Sequence, residues 1–112
     1  RVGEQVAFTL RLRNTGSAPV TIGLTGITPA VDFIVDTPTA QPVWNLLHGV
    51  AIPMVLQFRT LAPKEVLDLS GVWTQRTNDG APVGPGSYRV KAVLATDRGE
   101  VTAGPHLLTL TR

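Results

Sequence analysis

At 112 residues, with 43% hydrophobic side chains, the chain is long enough to bury one sizeable core and is expected to form a single domain over 1–112. It has no cysteine, which excludes disulfides and thiolate metal sites. Ten Lys and Arg against eight Asp and Glu leave a net charge of +2, and no basic run of the kind that tracks a nucleic acid is present.

The dominant hydrophobic period is two, the period of strands. In VAFTLRLR, Val6, Phe8, Leu10 and Leu12 alternate with Ala7, Thr9, Arg11 and Arg13, which describes a strand with one wet face. Asn14-Thr15-Gly16-Ser17 ends it with turn residues, and after Pro19 a short strand follows with Val20, Ile22 and Leu24 inward. VDFIVD sets Val31, Phe33 and Val35 on one face and Asp32, Ile34 and Asp36 on the other. Pro42 to Leu47, with Val43 and Trp44, reads as a strand or an extended edge, closed by a His48-Gly49 turn. In MVLQFRTL the alternation predicts Met54, Leu56 and Phe58 inward against Val55, Gln57 and Arg59.

From Thr37 to Phe58 no residue carries a formal charge, but Pro38, Pro42, Pro53 and interspersed polar residues defeat a membrane-spanning helix. Leu61 to Glu65 is a turn, and VLDLSGVW then places Leu67, Leu69 and Trp73 on one parity, with Gly71 expected at a bulge. Asn78-Asp79-Gly80 and Gly84-Pro85-Gly86 crowd turn chemistry ahead of the next strand, where it sets that strand's register. That strand carries Tyr88, Val90, Ala92 and Leu94 inward, with Arg89 and Lys91 outward. Thr96 to Gly99 reverses the chain, and a last strand is expected within His106 to Thr111. About eight short strands at this spacing, with no helix, predict an all-β antiparallel sandwich of immunoglobulin-like type.

Catalytic signatures are poor, and the chain is expected not to be an enzyme. Ser17, Ser70 and Ser87 sit in no nucleophile elbow, and His48 and His106 stand apart with no metal-ligand spacing. Asp32 and Asp36 share a strand face, an arrangement open to acid/base work but commoner as solvated aspartates. No helix follows a glycine-rich loop to cradle phosphate, and no cofactor or metal is expected. Most of the aromatic residues fall on inward parity, so they are assigned to the core. Arg11, Arg13, Arg89 and Lys91 form either a basic stripe, if their strands share a sheet, or charges that deter sheet-to-sheet pairing.

Several segments in order resemble the bacterial intracellular proteinase inhibitor family of the BsuPI type. They are VAFTLRLRNTGSAPVTIGLTG, VDFIVDT, PVWNLLHG, LAPKEVLDLSGVW and NDGAPVGPGSYRVKAVL, spanning about Val6 to Leu94. They share an asparagine closing the first strand, an aspartate-aromatic pair, two tryptophans, a turn with Pro63, and G-x-x-V-x-P-G-x-Y. The sequence departs at Asn45-Leu46-Leu47, where a polar segment is expected, and at Lys64, where a glycine often follows the proline. The resemblance implies an immunoglobulin-like sandwich and, for the founding member, inhibition of a serine protease. It transfers no reactive-loop residue.

Two functions follow as expectations. One is a protein-binding module that blocks a serine protease through Asn45, Leu46, Leu47 and His48, or through the Thr74 to Gly86 loop, where Arg76 suits a trypsin-like pocket. The bland alternative makes both loops plain connections and buries Leu46 and Leu47. The other is a structural or adhesive unit of the cell envelope, whose terminal strand pairs with a neighbouring subunit or a second copy. The start at Arg1 reads as a mature or excised piece, with an exported location favoured over the cytoplasm.

Overall fold

The structure is a computed structural model and describes residues 3–25, 31–50, 56–97 and 99–111. Its eight strands run in chain order as β1 (Val6–Arg13), β2 (Val20–Thr25), β3 (Val31–Asp36), β4 (Pro42–Asn45), β5 (Leu56–Leu61), β6 (Val66–Trp73), β7 (Gly86–Thr96) and β8 (Gly99–Leu110). Every pairing is antiparallel. The described residues contain no helix.

The strands make two units. In the first, β7 is central, with β8 as its hairpin partner on one side and β3 on the other, and β4 lies beyond β3 at the edge. In the second, β1 followed by β2 runs against β6 preceded by β5, so the four form one bent ribbon. Val6 faces Trp73 and Arg13 faces Val66; the ladder then breaks and resumes with Val20 opposite Leu61. Past the break the ribbon joins the larger sheet, where Leu24 pairs with Thr96. Asp97 holds that junction, its Oδ1 accepting the Gly23 N–H at 2.8 Å while its own N–H donates to the Gly23 carbonyl at 3.0 Å.

The break depends on Asn14, which is buried although its composition suggested only a turn. Its Nδ2 donates to the carbonyls of Ala18 and Leu61, both at 2.9 Å, and its Oδ1 accepts the Gly16 N–H at 2.9 Å. Its main chain reaches across the ribbon as well, donating to the Glu65 carbonyl at 3.1 Å and accepting the Lys64 N–H at 2.8 Å. A buried amide costs free energy unless its donors and acceptor are satisfied, and here all of them are.

The ribbon and the sheet close over a common interior. Leu10, Ile22, Leu24, Val31, Phe33, Leu61, Leu67, Leu69, Ala92 and Leu94 form one buried cluster, and Val35, Trp73 and Leu110 a second beside it. The Trp73 ring links the layers: it stacks on Phe8 of β1 (6.5 Å between centroids) and Trp44 of β4 (6.0 Å), and meets Tyr88 of β7 edge-on at 6.0 Å. Its buried indole N–H donates to the Arg76 carbonyl at 2.9 Å, as a buried indole requires. The alternating expectation holds for β1, β2, β3, β6 and β7, and the fold is the expected antiparallel sandwich of about eight strands.

Four expectations are corrected. First, β5 does not turn Phe58 inward: Phe58 stands opposite Gly23 and is 65% exposed, Gln57 and Arg59 are exposed as well, and of the described β5 side chains only Leu61, opposite Val20, is buried. Pairing with β2 decides which face turns inward, and a one-residue shift of register inverts that choice. Met54 lies outside the described residues, as does the side chain of Leu56. Second, Gly71 is not a bulge, since it pairs in register with Phe8. A Cβ there would lie 2.8 Å from Leu46 Cδ2 and 3.0 Å from Phe33 Cδ2, so glycine serves close packing. Third, the last strand starts well before His106, at Gly99, because it pairs with β7 back to the turn. Its register shifts opposite Val90 and Ala92, beside the cis Gly104–Pro105 peptide. Fourth, β1 and β7 lie in different sheets, so Arg11, Arg13, Arg89 and Lys91 form no stripe, and β7 is no exposed edge to protect.

Candidate functional site: a docked pair of loops

The two loops singled out by sequence meet. The first, residues 45–49, leaves β4 and turns back over β3. Leu46 donates its N–H to the Phe33 carbonyl at 3.0 Å, and Leu47 donates to Asp32 Oδ1 at 3.1 Å. The other oxygen of Asp32 accepts from Asn45 Nδ2 at 3.2 Å. Asp32 thus anchors a loop, and its carboxylate is occupied by these donors. The sequence pattern placed it correctly on the outer face of β3 but gave no sign of the loop folding back onto it.

The second loop, residues 74–85, leaves β6 and forms a small hairpin of its own. Arg76 bridges to Pro82, Thr77 donates to the Ala81 carbonyl at 2.8 Å, and Gly80 donates to the Thr77 carbonyl at 2.9 Å. Gly80 takes φ +87°, a left-handed conformation that suits glycine and explains the Asp79-Gly80 pair. The base of the loop is held by Gln75, which is buried at φ +61°. Its Nε2 donates to the Glu4 carbonyl at 2.7 Å, and its Oε1 accepts the Gly3 N–H at 3.0 Å. The far end is tied by Tyr88, whose hydroxyl donates to the Gly84 carbonyl at 2.7 Å.

Asn78 joins the two loops. Its main-chain N–H donates to the Val43 carbonyl at 3.1 Å, and its Oδ1 accepts the Asn45 N–H at 3.1 Å, so it occupies the outer edge of β4 as a strand residue would. Its Nδ2 donates to Asn45 Oδ1 at 3.1 Å. Asn78 reads in the sequence as one member of an Asn-Asp-Gly turn. Only a fold that brings it to Asn45 reveals its second role.

Of the five predicted contact residues, Asn45 is therefore half-buried and locked between Asp32 and Asn78. Leu46 packs on the core beside Gly71, in agreement with the bland alternative for that side chain, and Leu47 is half-buried. His48 is exposed at the tip of the first loop. Arg76 is exposed on the second, its guanidinium donating to the Gly80 carbonyl at 2.9 Å. The structure brings Asn45 and the Arg76 loop together through Asn78. Among the described residues no three His, Cys, Asp or Glu side chains cluster as metal ligands.

Fold and site together define an all-strand sandwich that displays two mutually braced loops. The profile of the family described as "Intracellular proteinase inhibitor" (BsuPI) matches residues 1–99, most of the chain, and the chain belongs to that family. No curated protein matches the sequence. A solved structure of FlgD from Xanthomonas campestris, described for hook capping in flagellar assembly, is similar at 13% identity over 97% of this chain and 67% of that one. Its TM-score of 0.39 is too low to bear on function.

Proposed function

We propose that the protein is a non-catalytic binding module that inhibits a protease through the paired loops at 45–49 and 74–85. The observation that supports this reading most directly is the Asn45–Asn78 junction, with Asp32 behind it. An inhibitor gains affinity by presenting a surface that need not be ordered on binding, and loops from two different strands braced against each other have already lost that freedom. Membership of a family of proteinase inhibitors supplies the partner class.

The geometry also favours one mode of contact. The Arg76 carbonyl is held by the Trp73 indole, so the Arg76–Thr77 peptide is not free to enter an oxyanion hole as a substrate's would. Arg76 and His48 then act through their side chains, from the outside of the hairpin and the tip of the neighbouring loop. Titration of the whole chain against a panel of serine proteases tests the proposal. We expect reversible inhibition of at least one enzyme at micromolar concentration, without cleavage after Arg76, and weakening by His48→Ala with Arg76→Ala. Absence of inhibition across the panel at those concentrations would end it.

A further inference from the structure

Among the described residues, the large apolar side chains that stand most exposed are Val50, Phe58, Val72 and Leu107. Phe58, Val72 and Leu107 project from strands β5, β6 and β8, and Val50 alone projects from a loop. Single apolar residues on a sheet face need no special account. A valine at a braced turn differs, because a turn enters a cleft that a flat sheet face cannot.

Val50 is 52% exposed and directly follows the first loop of the pair. Its main-chain N–H donates to the Leu47 carbonyl at 3.1 Å, closing a turn over His48 and Gly49. Gly49 takes φ +70°, the left-handed value that suits glycine at the third position of a turn. The His48 N–H donates to the Asn45 carbonyl at 3.2 Å, and Asn45 is itself held by Asp32 and Asn78. Val50 is thus tied to the same frame as the loop junction, and its branched side chain is stiff at χ1, so little order remains to be lost on binding. From Thr37 to Phe58 no residue carries a formal charge, so this tip offers nothing to an acidic pocket. Arg76, the cation of the second loop, is turned back on its own hairpin, where its guanidinium donates to the Gly80 carbonyl at 2.9 Å.

We infer that Val50 is the anchor of the paired loops, and that their partner is a serine protease whose primary specificity pocket is shallow and apolar. The valine side chain fills that pocket, while His48 and Arg76 make the polar rim around it. Valine is too short to fill a pocket shaped for an aromatic ring, and it would leave the carboxylate of an acidic pocket desolvated and unpaired. The inference rests on the inhibitor reading above and adds to it the contact residue and the kind of pocket.

The test titrates the whole chain against elastase, chymotrypsin and trypsin, whose pockets are small, deep and apolar, and acidic in that order. We expect elastase to be inhibited at micromolar concentration and the other two at least about tenfold more weakly. Val50→Ala should weaken elastase inhibition about tenfold and Val50→Asp should abolish it, while Arg76→Ala alone leaves it within about threefold. Val50→Phe should move the preference toward chymotrypsin. The comparison of the three enzymes needs no variant, so the outcome does not depend on how any substitution folds. No inhibition of elastase, equal or stronger inhibition of trypsin or chymotrypsin, or elastase inhibition unmoved by Val50→Asp would each overturn the inference. Inhibition of any other serine protease would then leave the inhibitor reading standing, and only failure across the whole panel would end both.

Discussion

Removing the Asn14 carboxamide is expected to cost far more than a turn residue should. Alanine at that position strips a donor from the Ala18 and Leu61 carbonyls and the acceptor from the Gly16 N–H, a loss of about 2–4 kcal/mol in urea unfolding. Asn14→Asp keeps the acceptor but turns a carboxylate toward two carbonyls, so it should do no better than alanine. A loss for Asn14→Ala below about 0.5 kcal/mol, the size of an ordinary surface change, would mean the ribbon bends without it. Across the same break, Lys64 adopts φ +67°. A left-handed lysine carries a penalty of about 1–2 kcal/mol, against roughly 0.5–1 kcal/mol for the extra freedom glycine loses on folding. The balance predicts that Lys64→Gly raises stability by about 0.5–1 kcal/mol, seen as a higher urea midpoint with an unchanged slope. Lys64 follows Pro63 in the turn, and the backbone there has the conformation glycine prefers.

At the scale of elements, the β1–β6 ribbon carries a cross-strand ion pair on its outer face. Arg11 Nε and Nη2 donate to the two carboxylate oxygens of Asp68 at 2.9 and 3.2 Å. The hydrogen bond from Arg11, helped by its charge and opposed by desolvation, holds the Asp68 carboxyl below its usual range. A depressed folded pKa means that the pair's contribution is fully present above the unfolded aspartate pKa, near about 4, and is lost as pH falls through the lower folded value. Both groups are solvated, so the effect is small and weakens with salt. Asp68→Asn should therefore lower the unfolding midpoint slightly at neutral pH and low salt. The difference from the parent should vanish in strong acid and in high salt; a difference independent of pH would point to packing instead. The same scale contains the clearest misreading of the sequence, at β5. Leu56, Gln57, Phe58 and Arg59 suggest that the phenylalanine faces inward, yet the register set by Val20 and Leu61 turns it to solvent. A short edge strand has too few apolar residues to specify its own face, and its partner specifies it instead.

For the whole molecule, the consequence of the shared interior is cooperative unfolding. Trp73 belongs to the ribbon by sequence but packs against Trp44 of β4 and Tyr88 of β7, so neither layer retains a core without the other. Tryptophan fluorescence and far-ultraviolet circular dichroism should trace one superimposable transition in urea. Two separated transitions would show that the ribbon and the hairpin sheet are independent units. The loop pair rests on this frame, because the Trp73 indole holds the Arg76 carbonyl and Val43 on the edge strand receives Asn78. A rigid binding surface therefore depends on core packing as much as on the loops' own residues.

Alternating side chains were enough to determine the fold class, the inward faces of five strands and the turn chemistry around Gly80, because a strand's period and a glycine's left-handed backbone are local properties. Family membership was likewise legible, through motifs whose order survives without any contact being known. The exposure of Phe58 on β5, the close approach at Gly71, the true length of β8 and the separation of β1 from β7 were decided only in three dimensions. So was the candidate site, since Asn45 and Asn78 lie 33 residues apart and Asn14 reaches Leu61 across 47. A buried amide is recognised by the carbonyls it meets, and a linear pattern cannot say which distant carbonyls those are.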